Sequence, residues 1–276
     1  MDSGARWSWI LWLKNAADPS QCPSVDATAW TAAAAAGGDA VAQFIHARRV
    51  SAPAERARWL RAAAEGGLAR AANELGMAHL NGDGVPRNVT AARFWLSSAA
   101  GAGEPDALFN LGLLAAGTGD EPEALRLFHA AAVAGSATAA FNVGASFYSG
   151  RGGVSQDYDA AAAWFVRAGD GRSLHLAALI AAAGTPKTAP DASAAGRLLR
   201  AAARAGHTEA AMQLATDTLA AGGESKDAAA WLRLAVRGGS TVAAETLRTL
   251  ESRTAAAAAA AASAQHEVVM SDEPEL

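Results

Sequence analysis

AAFNVGASFYSGRGGVSQDYDAAAAWFVRAG, residues 139–169, places a Gly-rich turn between two Ala-heavy apolar segments. Two readings compete: a loop that cradles phosphate, or one unit of a repeat. A phosphate loop needs a strand before its glycines and, in the P-loop form, Lys followed by Ser or Thr after them. Here the residues before the turn have helical spacing, the turn holds Arg151 and no lysine, and a near copy, NGDGVPRNV, stands at 81–89. The turn therefore reads as part of a repeat.

Sliding the chain against itself extends the pattern. WTAAAAAGG at Trp30, WLRAAAEGG at Trp59, WLSSAAGAG at Trp95, LFHAAAVAG at Leu127, WFVRAGDG at Trp164, LLRAAARAG at Leu198 and WLRLAVRGG at Trp231 align, with steps of 29, 36, 32, 37, 34 and 33 residues. Upstream of these anchors runs a second column: ANELGMAHLNGDGV from Ala72, LFNLGLLAAGTG from Leu108, AFNVGASFYSGRGGV from Ala140, and the weaker LHLAALIAAAG from Leu174 and AMQLATDTLAAGG from Ala211. Each unit reads as helix A, a short turn and helix B. No stretch alternates with period two, so the chain is expected to be all-α.

A third column fixes the register independently. Seven residues before the anchors stand Asn88, Asp120, Asp157 and Asp191, residue types that accept from the unpaired N–H groups of a first helical turn. The column lapses in two units, which have Ala52 and Glu224 there. Leu75, Leu111, Val143 and Leu214 fit a helix A core, with Gly76, Gly112 and Gly144 after the first three. A mid-helix Gly costs about 1 kcal/mol against Ala, so three at one repeat position imply that helix B passes where a Cβ would stand. Gly67, Gly135, Gly206 and Gly239 suit left-handed caps that close helix B.

These units resemble the Sel-1-like repeat (SLR) proteins, relatives of the tetratricopeptide repeats, with the pattern A-x-x-L-G-x-x-Y-x-x-G-x-G-V-x-x-D-x-x-x-A-x-x-W-x-x-x-A-A-x-x-G. Residues 140–171 match at Val143, Gly144, Phe147, Gly150, Gly153, Val154, Asp157, Ala161, Trp164, Ala168 and Gly171. Residues 72–103 match at Leu75, Gly76, Gly82, Gly84, Val85, Ala92, Trp95, Ala99 and Ala100, with His79 for the tyrosine and Asn88 for the aspartate. The units from Ser173 and Thr208 have Ala178 and Ala215 for the helix A glycine. The resemblance implies an α-α superhelix, a solenoid of about seven helical hairpins over roughly residues 5–253. Some SLR members carry a disulfide in each repeat; with Cys22 as its single cysteine, this chain does not fit those secreted forms.

The organisation expected is a degenerate capping helix pair over 1–38, a repeat solenoid with a terminal capping helix over 39–253, and an Ala-rich linker with an acidic disordered tail over 254–276. Both ends of a stack expose apolar faces and need caps. The run Ala255–Ala262 can extend the last helix but has no amphipathic pattern to anchor it.

Composition and motifs limit function. A net charge of -4 with only three lysines, Lys14, Lys187 and Lys226, makes nucleic acid a poor partner. No run approaches the ~20 apolar residues of a membrane span. Trp7–Leu13 is too short and too weakly flanked to read as a signal peptide, so the expected location is cytoplasmic, with an organellar or secreted location as the alternative if that segment is a targeting signal. His46, His79, His129, His175, His207 and His266 form no metal-binding sequence pair, and no nucleophile motif is present. No catalytic residue, metal or cofactor is expected.

A stack of helix pairs offers an extended concave face, and many SLR members assemble other proteins. The expected function is a non-enzymatic scaffold or adaptor with a protein or peptide partner. The candidate partner-binding residues, two before the glycine column on helix A, are Glu74, Asn110, Asn142 and Gln213. The alternatives are a structural subunit of a larger complex and a hydrolase-type enzyme with a pocket between repeats.

Overall fold

A computed structural model describes residues 27–271. The first part of the capping helix pair expected over 1–38, with the segment Trp7–Leu13 and Cys22, and residues 272–276 lie outside the described residues. Within them the chain is all-α, with fourteen helices and no strand: α1 (Ala27–Ala36), α2 (Ala40–Ala47), α3 (Pro53–Glu65), α4 (Ala69–Asn81), α5 (Val89–Gly101), α6 (Pro105–Gly117), α7 (Glu121–Val133), α8 (Ala137–Ser149), α9 (Tyr158–Ala168), α10 (Gly171–Ala183), α11 (Ala192–Arg204), α12 (Thr208–Ala220), α13 (Ser225–Arg237) and α14 (Thr241–Ser271). From α2 to α13 the even-numbered helices are the A helices of the repeat and the odd-numbered ones the B helices. The chain divides into two compact units between Ala107 and Leu108, a boundary the repeat pattern does not mark.

In the first unit α2 packs on α3, α3 on α4 and α4 on α5. Its core joins Ala47, Leu60, Ala63, Ala71 and Leu75, with Trp59 and Trp95 partly buried against it. In the second, each helix from α7 to α13 packs on the next. Core clusters follow in sequence around Phe128 and Val143, Phe165 and Ile180, and Leu199, Leu214 and Leu232.

Why these residues form hairpins is visible at the caps. Asn88, Asp120, Asp157 and Asp191 each accept a backbone N–H in the first turn of their B helix, while Ala52 and Glu224 make no such bond. The cap residue is also tied to the preceding A helix. The N–H groups of Asn88, Asp157 and Asp191 donate to the carbonyls of His79, Phe147 and Ala181 at 2.8, 2.9 and 2.8 Å. Those three acceptors occupy one repeat position, three residues after Gly76, Gly144 and Ala178. A single residue thus ends the turn on one helix and starts the other. Gly67, Gly135, Gly206 and Gly239 have φ of +88°, +104°, +90° and +89°, the left-handed closure read from the sequence.

The structure adds two details. The Trp anchors Trp59, Trp95, Trp164 and Trp231 are half-buried, and the residue after the anchor carries the core: Leu60, Leu96, Phe128, Phe165, Leu199 and Leu232 are buried. One residue turns a helix by about 100°, so the anchor lies beside the neighbouring B helix while its successor faces helix A. Trp164 shows the first contact, with His129 of α7 edge-on at 5.1 Å between ring centroids. At the C-terminus, α14 continues unbroken to Ser271 through the segment where a linker and disordered tail were expected. The Ala255–Ala262 run is the physical reason, since Ala has the highest intrinsic helix propensity.

Candidate functional site

The Gly-rich turns are packed against helices. At Gly152, with φ +76°, a Cβ would stand 3.0 Å from Leu125 Cβ and 3.3 Å from the Glu121 carbonyl oxygen of α7. Gly84, with φ +72°, lies against the Pro53 carbonyl at the start of α3 in the same manner. Each turn presses on the first turn of the preceding B helix. Next to it, the Asp157 carboxylate accepts from the Ala160 N–H at 3.0 Å and from Lys187 Nζ at 2.6 Å. The Lys187 hydrogen bond holds the Asp157 carboxyl below its ordinary range.

The four candidate residues all lie on A helices, immediately before a core residue. Glu74 of α4 is half-buried beside the buried Leu75. Burial pushes its carboxyl above the usual range, against the pull of Arg48 and Arg56. In the second unit Asn110 of α6 and Asn142 of α8 are half-buried, and Gln213 of α12 is exposed. The same position in α10 is occupied by Leu176, so the polar column is interrupted there. Exposed Leu113 and Leu179 follow the glycine-column positions 112 and 178, three residues after Asn110 and Leu176. Residues three apart share a helix face, so the polar column in this unit is edged by apolar side chains that the sequence reading did not select.

Three of the B-helix arginines are engaged by neighbouring groups. Arg126 pairs with Glu123 at 2.6 Å and Arg233 with Glu251 at 2.7 Å, exposed pairs of a kind worth under about 1 kcal/mol. Arg167 lies over the Trp164 ring at 5.4 Å and donates to the Ala132 carbonyl at 3.3 Å.

The histidines make a contact that their sequence spacing does not announce. Scattered in sequence, His175 and His207 meet in space with ring centroids 4.6 Å apart, because stacking places residues one repeat apart on adjacent elements. With Glu209 they are the group of metal-ligand types among the described residues whose ligand atoms lie within 4.8 Å of one another. Their chemistry opposes a cation. His207 Nδ1 accepts the Ala210 N–H at 3.2 Å, which puts the ring proton of a neutral imidazole on Nε2. That nitrogen, 4.0 Å from Glu209 Oε2, then has no lone pair to offer.

The Sel1 repeat profile matches four consecutive stretches, 69–104, 105–136, 137–173 and 174–207, which coincide with the hairpins α4–α5 to α10–α11. No curated protein matches the chain. Among solved structures, it is similar to c5321, a protective antigen of uropathogenic Escherichia coli with an SLR fold, at a TM-score of 0.65 and 24% identity over 90% of this chain and 57% of that one. It thus spans little more than half the length of that relative. A Sel1 repeat protein from Oxalobacter formigenes is similar at a TM-score of 0.61 and 25% identity, over 73% of this chain and 89% of that one. The matched repeats take in half of the chain and agree with its caps, glycine column and hairpins: the chain belongs to the Sel1 repeat family.

Proposed function

We propose that the chain is a non-enzymatic scaffold that holds a protein or peptide partner on the A helices of its second unit. One observation carries the reading. In the second unit Asn110, Asn142 and Gln213 recur at one repeat position and stay at least partly accessible, while the following residues, Val143 and Leu214 among them, turn into the core. A side-chain amide both donates and accepts, so a column of amides suits a partner's backbone, and the neighbouring Leu113 and Leu179 supply apolar contact. Family membership supports the same reading, since Sel1 repeat proteins are typically interaction scaffolds. Affinity purification of the tagged chain from its native cell tests it, comparing wild type with an Asn110→Arg, Asn142→Arg double variant and with an Arg93→Glu control on α5. The expected result is a partner retained by wild type and control and lost by the double variant at unchanged helical content. Equal recovery on all three chains overturns the assignment of the face.

A further inference from the structure

His207 stands before α12 as its cap, and His175 lies in α10. The two are brought together at Gly171, where a Cβ would stand 2.9 Å from His207 Cβ and 3.1 Å from the Ala202 carbonyl oxygen. The His207 backbone N–H donates to that same carbonyl at 3.0 Å, so the imidazole is fixed between α10, the end of α11 and the start of α12. The equivalent caps of α8, α10 and α14 are Ser136, Asp170 and Ser240. Neither serine nor aspartate changes charge near neutral pH, and histidine does.

We propose that the His175–His207 contact is a proton-sensitive joint, in which protonation of His207 at Nδ1 removes the cap of α12 and loosens the start of that helix from α10. The Ala210 N–H at Nδ1 requires a bare nitrogen, and a second ring proton sets donor against donor. The new cation also faces the positive end of the α12 dipole. Of the groups around it, His175 and Arg172 from α10 repel it. Asp170, which attracts it, has its oxygens occupied by Ser173 and the α10 N–H groups. Glu209 in the first turn of α12 is exposed. From α11 the neighbour is the Ala202 carbonyl. Burial and then His175 hold His207 below the ordinary histidine range, outweighing Glu209 and Asp170.

Hydrogen exchange of the full chain, at pH 7.5 and 5.5 and normalised to intrinsic rates, reads the joint at Ala210 and through α12. With loss of a cap worth roughly 1 kcal/mol, the wild type is expected to lose protection there about fivefold at the lower pH. His207→Asn, which caps without titrating, is expected to keep the same protection at both pH values, and His175→Ala, which removes a repelling neighbour, to shift the change toward higher pH. An unchanged wild type, or the same pH response in His207→Asn, overturns the proposal. So does a rise in α12 protection on adding Zn2+ at pH 7.5, which would make the pair a cation site.

Discussion

Gly144 of α8 is covered by the Phe165 ring of α9, with Phe165 Cδ1 only 2.8 Å from where a Cβ on Gly144 would stand. The same relationship joins Gly76 to Leu96 at 2.7 Å and Gly112 to Phe128 at 2.6 Å. In the next two repeats the column holds Ala178 and Ala215, packed in one cluster with Leu199 and Leu232. The hairpin therefore exists in two matched forms, Gly under an aromatic ring and Ala under leucine, with Gly76 under Leu96 as a mixed variant.

Gly144→Ala is expected to destabilise the protein. Overpacking a core costs about 1–3 kcal/mol, against a helix-propensity gain of about 1 kcal/mol, and the buried ring has little room to yield. Adding Phe165→Leu copies the Ala178–Leu199 pairing, so the double variant should lose less than the two single losses summed. Urea unfolding of the four proteins measures the coupling; additive losses would show that ring and glycine do not share the space.

Gly84 and Gly67 separate two costs of a side chain at positive φ. At Gly67, φ is +88° and nothing lies within 4 Å of a Cβ, so Gly67→Ala should cost only the left-handed strain of roughly 1–2 kcal/mol. At Gly84 the Cβ would run into the Pro53 backbone, which cannot rotate away as a side chain can. Gly84→Ala should therefore cost clearly more, by about 1–3 kcal/mol of overpacking. Equal melting temperatures for the two variants would mean that the turn can lift off α3.

Much of this was legible in the sequence, for local reasons. Asn88, Asp120, Asp157 and Asp191 announce caps because capping chemistry acts within three residues, and Gly76, Gly112 and Gly144 announce close packing because Gly in mid-helix has a cost that something must offset. What lies one repeat away was not legible. His175 and His207 are 32 positions apart with no shared motif, and their contact depends on how far α10 and α12 approach at Gly171. The candidate face was legible as a polar column, but its interruption at Leu176 and its apolar edge at Leu113 and Leu179 emerge only once burial is known.

Asp170 should make the second unit sensitive to acid. Burial works against its carboxylate, yet the hydrogen bonds from the Ser173 hydroxyl and from the Ser173 and Arg172 N–H groups prevail and hold it below 3.8. A carboxyl depressed in the folded state contributes stability that is complete above its unfolded value and is lost as pH falls through the folded one. Asp170→Ser keeps a cap and removes the titration. The stability gap between wild type and variant should be constant above pH about 5 and close below 3.8, as followed by chemical unfolding across pH. A gap that persists to pH 2 would place the stabilisation elsewhere.

Glu74 behaves in the opposite sense. Burial lifts its carboxyl above 4.5 despite Arg48 and Arg56, so the ionised form is less welcome in the folded chain than in the unfolded one. Its unfavourable contribution is complete above the raised folded value and vanishes as pH falls below 4.5, where both states are protonated. Glu74→Gln removes the charge and keeps the shape, and also gives this position an amide like Asn110 and Asn142. The variant should melt above wild type at pH 7, with the advantage shrinking toward pH 4. If it melts below wild type at pH 7, the attraction of Arg48 and Arg56 exceeds the cost of burial, and the carboxylate at this position supports the fold of the first unit.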